Sequence, residues 1–357
     1  MFGLQSLFGL KSYLGVDIGT TSIKVAEVVR SSNGAKLKNY GILETYTYLD
    51  RSNEALQTSS LKLIDTETAT YLKLLMSRAG IKTDRVVASL PAFSAFTTLV
   101  ELPAMPPEDL ARTMQFQAKQ YVPLPIAAVT LDWLKVGERI DENGAKKDQI
   151  FLIAILNEQI NKYRKIFEAA DLKLVAMEVE GISQARVFTA GVKEPVMIID
   201  IGARSTGFSI AQNGFLKFTG QTDFAGGSLT QILASGLGVS TRKAEELKKQ
   251  HGLTGGGATG ELSTLIRPIL DVIINEAKRI KNNYEDTYKE KVGLIVLAGG
   301  GSRLPGVANY ISQQLDIVAE KGNPFKKVEY PPELTPLIED LRTVLSTSIG
   351  LGLKSDL

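Results

Sequence analysis

Residues 13–28 read YLGVDIGTTSIKVAEV, and residues 196–211 read VMIIDIGARSTGFSIA. Each is an apolar run, then D-I-G-x-x-S, then a second apolar run. Asp17, Gly19 and Ser22 of the first correspond to Asp200, Gly202 and Ser205 of the second. Apolar runs flanking a glycine turn predict a β-hairpin. The same hairpin in both halves of one chain marks an internal duplication. Its spacing is far beyond the roughly 20–50 residues of a repeat array.

The chemistry of D-I-G-x-x-S points to phosphate. Glycine at a hairpin tip leaves no Cβ between backbone and ligand. Successive amides at such a turn form an anion nest. The hydroxyls of Thr20, Thr21, Ser205 and Thr206 add donors. A carboxylate ending the preceding strand is out of place beside bare phosphate. It fits if Mg²⁺ accompanies the phosphate, because that ion keeps most of its waters and takes one or two carboxylates. Asp17 and Asp200 are therefore the candidate metal residues. Lys24, on the outgoing strand, is a phosphate cation if it turns toward the cleft and a solvated lysine if it does not. Two such hairpins facing each other would hold a polyphosphate from both sides.

A third element is LIVLAGGGSRLPGV, residues 294–307. Gly299, Gly300, Gly301 and Ser302 follow a buried-type strand and precede a helix, where backbone amides can meet a nucleotide. The run lacks the third glycine of a Rossmann fingerprint. No G-x-x-x-x-G-K-[ST] occurs, which excludes a P-loop.

Bulk properties narrow the class. A chain of 357 residues suggests about two to three domains. The net charge of +2 is spread along the chain, which argues against nucleic acid as a partner. Without cysteine there are no disulfides or thiolate zinc sites, and a reducing cytoplasm is compatible. The single histidine, His251, argues against a histidine metal cluster or a Ser-His-Asp triad. No run approaches the roughly 18–20 apolar residues of a membrane span. The N-terminal MFGLQSLFGLKSY lacks the basic region and cleavage site of a signal peptide. Phe2, Leu4, Leu7 and Phe8 form either a tail strapped over the first strand or a short amphipathic turn for a membrane or partner.

Along the chain, strands are expected at 13–18, 22–29, 37–44 and 85–90, with a helix at 66–79. Residues 91–170 change character. An extended segment leads to a helix from Pro107 to Tyr121, with Glu108 and Asp109 in its first turn, where the helix dipole favours acids. Strands at 129–137 and 149–156 flank the polar turn DENGAKKD. An amphipathic helix at 157–170 places Ile160, Tyr163, Ile166 and Phe167 on one face. This block reads as an inserted αβ subdomain. Beyond it come a strand at 174–179, a helix at 181–190, the second hairpin, and helices at 227–236 and 241–251. The run GLTGGGATGE reads as a flexible loop. Pro268 in the helix at 262–288 predicts a start near Arg267 or a kink. A strand at 293–298, a helix at 305–315, a proline-rich loop at 322–336 and a last helix at 337–353 complete the chain.

In this order, the two Asp-hairpins and the late glycine run resemble the phosphate 1, phosphate 2 and adenosine motifs of the actin, sugar kinase and heat-shock chaperone superfamily. The resemblance covers nearly the whole chain. It implies an α/β, actin-like (ribonuclease H-like) duplicated two-domain fold that binds ATP with Mg²⁺. D-I-G-T-T-S-I-K fits phosphate 1, with Lys24 at the phosphate-binding lysine. VEGISQARVFTAG, residues 179–191, fits the first connecting helix. Glu180 then falls where the family's water-positioning residue often sits, with Glu178 as the alternative. Gly226 and Gly227 head the helix after the second hairpin and join the cofactor-binding set. A-E-E-L-K-K-Q-H-G fits the family's A-E-x-x-K helix, which implies that Glu245 and Lys248 contact ribose or base. Otherwise they are a solvated helix face. VLSTSIGLGL, residues 344–353, fits the terminal connecting helix.

The insert indicates the branch. L-P-A-M-P-P-E-D-L, Q-A-K-Q-Y-V-P-L-P and D-I-G-A-R-S-T look like the PilM family of type IV pilus assembly proteins. The division protein FtsA has D-I-G-G-G-T-T, and a linker and amphipathic membrane helix follow its connecting helix. Arg204 departs from the superfamily's glycine and would either contact phosphate or crowd it. The resemblance implies an actin-like domain I at 1–90, 171–190 and 337–357, with an interaction subdomain at 91–170. Domain II then comprises 191–240 and 291–336, with a helical subdomain at 241–290.

It further implies a cytoplasmic protein, peripheral at the inner face of the cytoplasmic membrane, that serves pilus assembly and twitching motility. Its partner would be the N-terminal cytoplasmic peptide of PilN, bound in a groove beside the insert. Other inner-membrane platform proteins and the assembly ATPase are further candidate partners. Membrane association would be indirect, and ATP hydrolysis slow at most. Two rival readings are an FtsA-like cytoskeletal or division protein and a small-molecule kinase. The kinase needs a catalytic Asp to accept a hydroxyl proton, and no convincing candidate stands in the sequence.

Overall fold

The computed structural model describes residues 11–31, 34–44, 65–140, 144–254 and 260–354. The apolar N-terminal turn, residues 141–143 of the DENGAKKD turn and residues 255–259 of the glycine loop lie outside them.

Strand β1 (Lys11–Ile18) pairs antiparallel with β2 (Ser22–Ser31), which pairs with β3 (Gly34–Glu44). On its other side β1 runs parallel to β4 (Arg85–Leu90), and β4 to β8 (Lys173–Val179). The second half repeats this plan strand for strand. β9 (Val196–Ile201), β10 (Thr206–Gln212) and β11 (Phe215–Thr222) form the antiparallel trio. β12 (Leu294–Ala298) and β13 (Ala319–Lys321) follow in parallel. The strand orders are β3-β2-β1-β4-β8 and β11-β10-β9-β12-β13. The duplicated motif in the sequence is thus the head of a duplicated sheet.

Helix α1 (Asp65–Arg78) covers one face of the first sheet, where Leu72 and Leu75 meet Leu14, Val16 and Ile18. The insert lies between β4 and β8. Its strands β5 (Ala95–Pro103), β6 (Val129–Ile140) and β7 (Lys146–Leu156) form a sheet ordered β5-β7-β6. Helix α2 (Pro107–Tyr121) starts with proline in its first turn, where no amide partner is lost. It lays Leu110, Met114 and Ala118 over Ile150, Leu152 and Ala154 of β7. Alternation along the strand sends Phe151 and Ile153 to the opposite face. There they pack with Ile198 and Leu216 of the second half, and with Ile182 between the halves. The insert, contiguous in sequence with the first half, therefore seats on the second.

Helix α3 (Asn157–Ala169) falls within the 91–170 block, yet Tyr163, Ile166 and Phe167 belong to the core of the first sheet. The parallel crossover from β4 to β8 needs a helix on the sheet, and α3 supplies it.

Helices α4 (Glu180–Thr189) and α10 (Ser346–Gly352) connect the halves. A Cβ on Gly350 would overlap the Ser183 carbonyl, and one on Gly15 the Ser348 carbonyl. The two helices therefore cross almost backbone to backbone, on top of β1. The expected last helix at 337–353 is broken. It appears as α9 (Ile338–Leu341), a turn, and then α10. The break turns the Thr343 carbonyl outward to accept from Gly299 N at 2.9 Å.

In the second half, α5 (Gly226–Leu237), α6 (Thr241–His251), α7 (Gly260–Tyr288) and α8 (Val307–Leu315) share one core with the sheet. Helix α7 runs through Pro268 rather than starting at Arg267. Leu262 and Ile266 before the proline, and Leu270, Ile273 and Ala277 after it, are all buried in that core. This packing offsets the roughly 3 kcal/mol that an interior proline costs. Among the described residues no helix is long and apolar enough to cross a membrane.

Candidate nucleotide site

The two hairpin tips border one cavity of about 390 Å³, within the roughly 300–1,000 Å³ range of small-molecule sites. Gly19, Thr20, Thr21 and Lys24 line it from the first hairpin, and Gly202 and Ser205 from the second. Asp17, Asp200 and Glu180 join them. Gly226, Gly227, Glu245 and Lys248 line it from α5 and α6, and Gly299, Gly300 and Gly301 from the turn after β12. Two expected residues are turned away. Thr206 Oγ1 donates to the Phe224 carbonyl at 2.7 Å, and Ser302 Oγ to the Gly299 carbonyl at 2.6 Å. Both are fully buried and outside the lining, because a hydroxyl at a tight turn finds its own backbone first.

Both tips close in the same way. Gly19 N donates to Ser22 O at 2.9 Å, and Gly202 N to Ser205 O at 3.1 Å. In register, Asp17 lies opposite Lys24 and Asp200 opposite Gly207. Lys24 turns inward, with Nζ 3.0 Å from Asp17 Oδ2. Ser89 of β4 donates to Asp17 Oδ1 at 2.8 Å. The Gln184 side-chain amide donates to Asp200 and, at 3.0 Å, to Thr347 Oγ1. Gln184 escaped the sequence reading. Its signal is its place one helical turn after Glu180, on the same face of α4.

Charge is unbalanced around the two metal-candidate acids. Burial pushes Asp200 up to about 6; the Gln184 amide and Lys24 oppose this, and Asp17 adds to it. Burial, then Asp17 and Asp200, hold Glu180 well above the usual carboxylate range. Burial alone would lower Lys24, but Asp17 and the neighbouring carboxylates more than offset it and raise the lysine. Where Asp17, Glu180 and Asp200 meet, three acids share Lys24, which suits a ligand that brings positive charge to that cluster. Glu178, the alternative to Glu180, is engaged elsewhere. Arg186 binds it through both oxygens at 2.7 and 2.9 Å, and Lys354 reaches it at 2.7 Å.

Glu245 and Lys248 are not a solvated face. Lys248 Nζ is buried, 2.5 Å from Glu245 Oε2, and donates to Gly226 O at 2.9 Å and Thr230 Oγ1 at 2.7 Å. Gly226 N and Gly227 N in turn donate to Gly202 O and Ala203 O at 3.0 and 2.8 Å. The glycines thus hold the second tip against α5 with their amides, and Lys248 buttresses that joint.

The donor set fits Mg²⁺ with a polyphosphate. Carboxylate oxygens are the hard ligands this ion takes. Among the described residues no three acids or histidines converge as a cage. A Cβ on Gly299 would overlap Asp200 Oδ1, and one on Gly301 would overlap Ile201. The glycine turn is therefore pressed against the acid-bearing strand.

The family model described as type IV pilus assembly protein PilM matches residues 15–356. The chain belongs to the PilM family. The solved PilM–PilN type IV pilus biogenesis complex superposes with a TM-score of 0.80 at 22% identity, covering 96% of this chain and 97% of that one. MreB5 of Spiroplasma citri bound to AMPPNP gives 0.55 at 11% identity, covering 95% and 94%. These likenesses establish the actin-like fold for this PilM-family chain. Cell division protein FtsA of Neisseria meningitidis serogroup B (strain ATCC BAA-335 / MC58) is 24% identical over 248 residues, 61% of this chain. The chain spans 57% of that relative and 30% of FtsA of Bacillus subtilis (strain 168).

Proposed function

We propose that this PilM-family chain is the cytoplasmic ATP-binding member of the pilus assembly platform at the inner face of the membrane. It binds the N-terminal cytoplasmic peptide of PilN, and nucleotide state biases that binding. The observation that carries the nucleotide reading is the pair of D-I-G tips on one cavity, with Asp17, Lys24 and Asp200 turned into it. Family membership and the likeness to a PilM–PilN complex support the partner.

Asp17 and Asp200 are the residues that would hold Mg²⁺, which when bound would supply positive charge against the phosphates. Lys24 contacts phosphate. Glu180 orients a water when ionised. Its raised pKa works against that role, which favours slow turnover. The peptide docks beside the insert, by strand addition and apolar pockets. Because the insert seats on the second half, closure of the cleft changes the groove.

The test is a calorimetric titration with a synthetic PilN N-terminal peptide, run with and without Mg-ATP. Saturable binding whose affinity shifts with nucleotide is expected. A shift below about two-fold counts against the coupling. Absence of peptide binding with ATP still bound removes the partner. The FtsA relatives favour a second reading, nucleotide-dependent filaments, which electron microscopy would reveal.

A further inference from the structure

The tip of the second hairpin carries a residue that the nucleotide reading leaves without a task. Arg204 occupies the place of Thr21 in the first hairpin. Its guanidinium lies over the ring of Phe93, 5.0 Å from the centroid. Phe93 belongs to the single turn Ala92–Ser94 that begins the insert, and both residues line the cavity. Among the described residues no carboxylate pairs with Arg204. The cation therefore rests on a ring within the lining of the cavity.

Residues of both halves and of the insert line the one cavity. Gly226, Glu245 and Lys248 line it from α5 and α6, and Pro91, Ala92 and Phe93 from the start of the insert. A nucleotide with its phosphates on the hairpins, as in the reading above, brings them to the tip that carries Arg204. A charge-assisted contact to phosphate is stronger than a partly exposed cation–π contact. We propose that Arg204 is a terminal-phosphate sensor, resting on Phe93 when that phosphate is absent and drawn off it when it is present. The proposal rests on the nucleotide reading above.

Phe93 is well placed to pass this on. Strand β5 begins two residues later, and its Thr97 bonds Thr219 of β11 at 2.7 Å. Lys217 of β11 bonds Val136 O at 2.6 Å and Gln149 Oε1 at 3.0 Å. The insert stays pinned to β11 while its first turn is gripped or released from the tip of the same sheet. Occupancy by a triphosphate is thereby read out at the first turn of the insert.

The test measures the affinity of Mg-AMPPNP and Mg-ADP by calorimetry for the unmodified protein, Phe93→Leu and Arg204→Gln. Phe93→Leu removes the ring and keeps apolar bulk. With nothing to leave, Arg204 binds the terminal phosphate at lower cost, so AMPPNP binds about two- to five-fold tighter and ADP is unchanged. Arg204→Gln, at a turn that tolerates polar residues, weakens AMPPNP about ten-fold with little effect on ADP. In Arg204→Gln, adding Phe93→Leu changes nothing further. An AMPPNP-to-ADP affinity ratio that neither substitution moves overturns the sensor and leaves the nucleotide site standing. Failure of the unmodified protein to bind either nucleotide overturns the site, and the sensor with it.

Discussion

The two hairpins share a turn, a register and an acid, but only the first carries its own counter-charge. Asp17 faces Lys24 across the strands and takes Ser89 from the neighbouring β4. Asp200 faces Gly207, and the neighbouring β12 offers Ala298 and the close-packed Gly299. The cation at the second tip, Arg204, leans away onto Phe93. At the first tip the acid is therefore matched by a cation of its own hairpin. The second holds a carboxylate that burial lifts to about 6. Duplication supplied the frame, and the difference makes one side of the cleft wait for a cationic ligand.

The largest effect should come from crowding the second acid. Gly299 has φ +79 and no room for a Cβ beside Asp200. Gly299→Ala adds backbone strain to a core overlap, a loss of about 3 kcal/mol by denaturant midpoint, together with loss of nucleotide binding. Retention of both would mean that the acid and the glycine turn are not coupled. Breaking the first hairpin comes next. Lys24→Met leaves Asp17 with Ser89 alone and removes the phosphate cation. Mg-ATP affinity should fall about 100-fold by calorimetry, roughly 2.7 kcal/mol. A loss below about three-fold would show that Lys24 serves Asp17 and not the ligand.

What the sequence disclosed and what it withheld follow from range. The hairpins, β4 and α2 were legible because local signals define them: apolar runs against glycine, or prolines and early acids at a helix start. Glu180 could be placed near the cleft, but telling it from Glu178 needed Arg186 and Lys354, which come from α4 and the end of the chain. Thr206 and Ser302 looked like ligand hydroxyls because turn geometry is invisible in composition. The broken last helix depended on Gly299, a residue distant in sequence, taking the Thr343 carbonyl. The seat of the insert on β11 rests on Lys217, whose buried contacts with Val136 and Gln149 no periodicity announces.

A third measurement isolates the unpaired acid. In Mg²⁺-free protein, Asp200 keeps its proton up to about pH 6, against about 4 for an unfolded carboxylate. Between those values the folded state binds more protons than the unfolded, so this group's contribution to stability falls as pH rises. Asp200→Asn keeps an oxygen for Gln184 and cannot ionise. By thermal denaturation in chelator, the variant should match the unmodified protein near pH 4 and exceed it above pH 7 by on the order of 2 kcal/mol. A difference that does not change with pH would place the effect outside this carboxylate.

The smallest change asks whether the second hairpin can be turned into the first. A Cβ on Gly207 meets nothing within 4 Å, and Gly207 holds the same register position against Asp200 that Lys24 holds against Asp17. Gly207→Lys should therefore place an ammonium on Asp200. The expected gain is about 1 kcal/mol above pH 6, with the pH window of the Asp200→Asn comparison shifted downward. Combining the two substitutions decides the cause. If the lysine acts on Asp200, its gain disappears when residue 200 is Asn. A gain that survives would mean that the lysine answers the whole acidic cleft, Glu180 included. The asymmetry would then belong to three carboxylates sharing one cation, and not to the facing residue on the second hairpin.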